Sequence, residues 1–173
     1  MIRIELIPLE GIDIESIGRV ELGSTKKEVE RILSKADKES RQRCFYDRYE
    51  FRLDFDKNNQ LEFIEFIYGP FPERTQPEIF GIKPFETEAM KLVNLLTERN
   101  NGYVDLSEAN HVFAFHEISI GIWRDATEED IEQMISEMKE HSEFDATQEN
   151  IKNELEMAKY FWTIGLGVRN YYK

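Results

Sequence analysis

The chain opens on MIRIELI, in which Ile2, Ile4 and Leu6 oppose Arg3 and Glu5. That period of two is the pattern of a half-buried strand. Gly11, Gly18 and Gly23 punctuate the next stretch of the chain. In GSTKKEVERILSKAD (23–37) the period lengthens. Thr25 and Glu28 have the spacing at which a hydroxyl and a carboxylate satisfy the free amides of a helix start. Val29, Ile32, Leu33 and Ala36 then recur on one helical face, which predicts a helix over 25–36. After it the period returns to two. CFYDR and YEFRLDF read as strands, DKNNQ as a turn, and LEFIEFIY as the returning strand.

GPFPERTQP (69–77) holds three of the five prolines and reads as a break. Beyond it the order recurs. ETEAMKLVNLLTER places Ala89, Leu92, Val93 and Leu96 on one helical face, and NNG (100–102) ends that helix. GYVDL, HVFAF and ISIGIW read as three strands, the last with Ile118, Ile120 and Ile122 in alternation. Residues 24–68 and 86–123 thus share a pattern of helix followed by three strands, without sharing letters.

The C-terminal third changes character. Thr127 and Asp130 open a helix with Ile131, Met134, Ile135 and Met138 inward. HSEFDAT breaks it, and Thr147 opens another with Ile151, Leu155, Ala158 and Trp162 on one stripe. The final YFWTIGLGVRNYYK sets Ile164, Leu166 and Val168 against Gly165 and Gly167. The Gly-x-Gly is no dinucleotide fingerprint. Asn170 stands where the third glycine belongs, and no helix comes after it to receive a phosphate. It reads as a closing strand whose bare face admits an aromatic ring, with Tyr171 and Tyr172 beyond it sending their hydroxyls to water. The expected fold class is α+β, a single domain over 1–173. Two helix-plus-three-strand units form antiparallel sheet, and the C-terminal helices pack on it.

Composition narrows the function. With 173 residues, 40% of them apolar, the chain can bury a sizeable core. A formal charge of −13 argues against nucleic acid and against an anionic membrane surface, and favours a basic protein partner. Cys44 is the single cysteine, so no intrachain disulfide or cysteine-based zinc site can form. It reads as a small strand or core residue in a reducing compartment. Glu5 and Glu10 interrupt the stretch a signal peptide would need, and no apolar run reaches membrane-spanning length. A cytoplasmic, bacterial-type protein is expected.

Candidate chemistry is sparse. DFDKNNQLEFIE (54–65) matches an EF-hand loop at Asp54, Asp56, Asn58, Leu61 and Glu65, with Glu62 a further oxygen donor and Asn59 at the glycine position. An EF-hand needs a helix on each side, and both flanks alternate with period two. A hairpin is therefore expected, with a calcium-binding module as the alternative. His111 and His116 lie five apart on one expected strand, facing opposite sides, and His141 is remote in sequence. Neither H-E-x-x-H nor G-x-S-x-G occurs. No catalytic residue or cofactor is expected. Two surfaces suit a partner. Glu128, Glu129 and Glu132 crowd the helix from 127, and Tyr46 and Tyr49, interleaved with Arg48 and Arg52, have the character of interface anchors.

One segment resembles known families. Leu22, Gly23, Ser24, Glu28, Val29, Leu33 and Asp37 match the opening helix of small repeats in beta-lactamase-inhibitor-like and outer-membrane-assembly lipoprotein families, with Ser34 and Ala36 in place of their glycine and proline. That resemblance implies a helix followed by an antiparallel sheet. The whole chain is similar to small acidic proteins of Firmicutes, some thought to be immunity proteins to secreted toxins. This implies a binding role in which a sheet face or acidic edge blocks an enzyme.

Overall fold

The structure is a computed structural model that describes residues 1–67, 69, 72–140 and 148–173. The opening alternation becomes β1 (Ile2–Ile7), with Ile4 and Leu6 buried. Two strands that glycine punctuation hid in the sequence come next, β2 (Gly11–Ile14) and β3 (Gly18–Glu21), burying Ile12, Ile14 and Val20. Gly11 has φ 142°, and a Cβ there would run into the backbone of Val20 and Glu21. Only glycine lets the two strands meet so closely.

Thr25 caps α1 (Lys26–Leu33) as expected. Its hydroxyl accepts from the Glu28 amide at 3.4 Å, and the Glu28 carboxylate accepts from the Thr25 amide at 2.8 Å. The helix ends earlier than 36, because Ser34 has φ 70°. Four strands succeed it instead of three: β4 (Lys38–Ser40), β5 (Arg43–Tyr46), β6 (Phe51–Phe55) and β7 (Leu61–Phe66). β4 is fully exposed and three residues long, so it leaves no hydrophobic signature. The expected break at 69–77 is also corrected. Its last residues begin β8 (Thr75–Ile79), which pairs in parallel with β1 in the sheet order β3-β2-β1-β8. β8 is an edge strand, where proline at 77 removes a donor that no neighbour needs.

α2 (Ala89–Asn100) ends at Asn101 with φ 47°, and β9 (Val104–Asp105), β10 (Val112–Phe115) and β11 (Ile120–Trp123) come after it. Then come α3 (Glu128–Glu140), α4 (Gln148–Met157) and β12 (Thr163–Gly167). The closing strand lies at the centre of the large antiparallel sheet, in the order β4-β5-β6-β7-β12-β11-β10-β9. It pairs Leu166 with Ile64 on one side and with Ile120 on the other. β12 therefore joins the two patterned units into one sheet.

Alternation gives the large sheet two unlike faces. Cys44, Tyr46, Phe51, Leu53, Ile64, Phe66, Phe113, Phe115, Ile120, Ile122, Ile164 and Leu166 share a face within one core that also holds the buried residues of β1–β3, α1 and α2. Among the described residues, no side chain of α3 or α4 belongs to that core. The C-terminal helices thus meet the sheet outside that core. They pack on one another, and Ile131 in α3 and Ala158 just past the end of α4 are buried. Arg124 fastens them to the sheet by donating to the Asn110 carbonyl at 2.6 Å and the Ala158 carbonyl at 2.9 Å. The expected stripe through Trp162 also fails, because α4 ends at Met157. Phe161 is the fully buried ring, edge-on to Phe113, while Trp162 is half-buried against Trp123. The expected break at 141–147, with His141 and the helix start at Thr147, lies outside the described residues.

Candidate binding surfaces

Among the described residues, no helix layer covers the other face of the large sheet. Gly121, Gly165 and Gly167 leave it bare at the centre, and the chain after β12 folds back across it. Ser119 donates to the Val168 carbonyl at 2.8 Å, and the Tyr171 amide donates to the same oxygen at 3.0 Å. A Cβ on Gly121 would strike Tyr172, and one on Gly165 would strike Phe63. Tyr171 stacks on Phe63 with centroids 4.5 Å apart and planes 3° from parallel. The expectation of an aromatic against the glycine face therefore holds, but Tyr172 does not send its hydroxyl to open water. It lies 3.5 Å from the Gly165 carbonyl, and burial pushes its pKa well up. A groove of about 390 Å³ remains beside these rings, walled by Arg52, Glu65, Asp105, Glu108 and Trp123.

Arg52 stands on this face between two carboxylates. It lies 2.9 Å from Glu65 Oε2, and its Nε lies 3.0 Å from Asp54 Oδ1. The Nε and Oδ1 pair are close as charges but not aligned as a hydrogen bond, and neither atom has another hydrogen-bond partner among the described residues. Burial pushes the carboxyls of both Asp54 and Glu65 upward, and the Arg52 charge opposes the rise. These are the first and last positions of the EF-hand match, and β6 and β7 set them around an arginine. Asp56 sits in the turn, where Oδ1 accepts from the Asn58 amide at 2.8 Å and the Gln60 amide at 2.9 Å. Asn59 takes φ 58° there. Residues 51–66 thus form the strand–turn–strand that the flanks predicted, with Asn58 and Glu62 in its turn and returning strand.

The anchor patch expected at 46–52 is corrected. Tyr46 and Tyr49 are each only 2% exposed, because both point into the core, where Tyr49 stacks on Phe51 at 5.6 Å. Arg48 is exposed beside them, its guanidinium 5.2 Å from the Tyr49 ring centre. Only Arg52 faces the open groove. Cys44 is buried in β5, and burial pushes its thiol pKa up. His111 lies 3.4 Å from Asp130, while His116 packs on Tyr103.

The acidic helix lies where the sequence puts it. Thr127 and Asp130 cap α3, with the Thr127 amide donating to the Asp130 carboxylate at 2.7 Å. Glu128, Glu129 and Glu132 are exposed and form no ion pair among the described residues. Between α3 and α4 runs a second groove, of about 430 Å³, lined mainly by apolar side chains. The apolar stripe that the sequence assigned inward lines it, so Met134 is 43% exposed. The stripe itself was legible from its period. That no described element covers it was not, because period does not say whether a partner element exists.

No family model, no curated protein and no solved structure matches the chain. The likeness at 22–37 thus remains that of one capped helix followed by antiparallel strands. Among the described residues, no helix is long and apolar enough to cross a membrane.

Proposed function

We propose that this chain is a non-enzymatic binding protein that holds a basic protein by direct contact and blocks it, in the manner of an immunity protein on its toxin. The observation that carries this reading is the free acidic row on α3. Glu128, Glu129 and Glu132 are exposed and without ion-pair partners among the described residues. A carboxylate already in a salt bridge must give up that contact to meet a partner, and among the described residues none of these three is in one, Glu128 lying only in the longer-range field of Arg124 and Lys159. The formal charge of −13 adds long-range attraction for a cationic surface. Charges at such a rim act chiefly on the rate of association.

The test is capture from the native host, followed by binding kinetics with the purified partner. A basic protein is expected, associating more slowly as salt rises. Reversing all three glutamates to lysine is expected to slow association by about tenfold or more, with the dissociation rate little changed. Recovery of nucleic acid or acidic proteins only, or an association rate indifferent to salt, would overturn the reading.

A further inference from the structure

We propose that the groove between α3 and α4 docks a basic amphipathic helix carried by that partner. The inference rests on the binding role proposed above and adds the site and the form of the ligand. Ile131, Met134, Ile135 and Met138 recur at helical spacing, the pattern of a helix that buries one face. Only Ile131 is buried, and the other three line the groove against Ile151 and Trp162. An apolar stripe at full helical period, which no described residue covers along the groove, has the shape that receives another helix. Methionine at two of its positions supplies an unbranched, polarisable surface that adapts to varied side chains.

Charge decides the occupant. Asp125, Asp130 and Glu154 edge the groove, and Glu128, Glu129 and Glu132 extend the acidic surface along α3. A helix with an apolar stripe and flanking lysines or arginines meets both features at once. A second copy of this chain would bring the same acidic rim against itself, at a formal −13 per copy, and like charges oppose that contact.

The probe is a designed helix of lysine and leucine, about 18 residues or five turns long. A peptide of identical composition, reordered to destroy the stripe, controls for charge. The chain has five methionines, so carbon-13 methyl spectra of the full protein resolve the site. Saturable shifts are expected at Met134 and Met138 with the amphipathic peptide only, together with a gain in its helicity. Met1 and Met90 are 67% and 51% exposed outside the groove and should stay still. Met134→Lys, at an exposed position, should weaken binding by about tenfold or more while leaving the far-ultraviolet spectrum unchanged.

Equal binding of the reordered peptide, equal shifts at Met90, or no shift at Met134 would overturn the proposal. So would methyl shifts that grow with protein concentration alone, since a second copy would then fill the groove. If the groove variant binds the captured partner normally while the triple glutamate reversal does not, the docking site is wrong and the binding function stands.

Discussion

Single residues fasten the layers together, and Glu50 is the clearest case. It is 5% exposed, with φ 55°, in the turn between β5 and β6. Its carboxylate accepts from the amides of Glu73 at 2.9 Å, Arg74 at 3.1 Å and Thr75 at 2.9 Å, and from the Thr75 hydroxyl at 2.7 Å. That contact holds the entry to β8 against the large sheet. Burial acts to raise the Glu50 pKa, but the hydrogen bonds from Thr75, Glu73 and Arg74 together outweigh it and leave the pKa lowered. Glu50→Gln should cost roughly 3 kcal/mol at neutral pH, since it replaces a charged acceptor and turns an amide donor toward other donors. A lowered carboxyl pKa adds stability above the unfolded value of about 4.3 and loses it as pH falls through the folded value. Denaturant melts of Glu50→Gln and the parent should therefore differ most at neutral pH and converge in strong acid. Gly165 is constrained by the opposite problem. Gly165→Ala drives a methyl into the Phe63 ring, and such overpacking should cost about 1–3 kcal/mol in the same melts.

Pairs of strands carry the charges that matter at the next scale. β6 and β7 place Arg52 between Asp54 and Glu65 on the open sheet face, so Arg52→Met takes the near counter-charge from two largely buried carboxylates and leaves Asp54 only Arg43, on the neighbouring strand at 3.5 Å. Breaking one side of such a cluster costs about 3–5 kcal/mol. Both carboxyls already titrate above their ordinary range, and losing Arg52 raises them further. A raised carboxyl pKa favours the fold below the unfolded value and opposes it as pH climbs through the folded value. The deficit of Arg52→Met should thus be large at pH 7 and shrink toward pH 4, the reverse of an ordinary acid-labile variant. In the same hairpin, millimolar calcium should leave the melting temperature unchanged. Asp56 Oδ1 is already taken by two backbone amides, and Asp54 and Glu65 face Arg52. A saturable rise that Glu65→Gln removes would contradict that, because bound metal stabilises the native state. Sequence made much of this level legible. Period two gave β1, β5–β7 and β11, and period 3.6 with its caps gave all or most of α1, α2 and α3. It did not give β8, whose proline and charge read with the residues before it as a break, nor β2 and β3, where Gly11 serves close approach rather than a turn. The candidate surfaces were half legible. Glu128, Glu129 and Glu132 are exposed as expected, while Tyr46 turned inward because a strand residue's side depends on register, which no single stretch specifies, and Tyr49 turned inward from the turn between β5 and β6 to stack on Phe51.

Across the whole molecule, −13 spread over 173 residues makes the folded state repel itself. Salt screens that repulsion over about 10 Å at 0.1 M. The melting temperature should therefore rise by a few degrees between low and moderate sodium chloride, and a fall would mean that the salt bridges outweigh the repulsion. The arrangement of the large sheet sets a stricter requirement. Deleting 163–173 removes β12 and its aromatic tail, and the loss of several large buried side chains at about 1.5–3 kcal/mol each rivals the stability of a domain. The truncated chain should be insoluble or lack a cooperative melt, and a melt like that of the full chain would refute the central role of β12. Order of synthesis gives that role a further meaning. β11 ends at Trp123 and β12 begins only at Thr163, so a growing chain completes both meanders well before the strand that joins them. During that interval β7 and β11 each present a row of unpaired amides and carbonyls, with a vacancy about 10 Å wide between them if they already face one another. Any extended segment of a neighbouring chain can enter it. The protein's yield in a crowded translation system therefore becomes a race between its own strand at 163–167 and strands of other molecules.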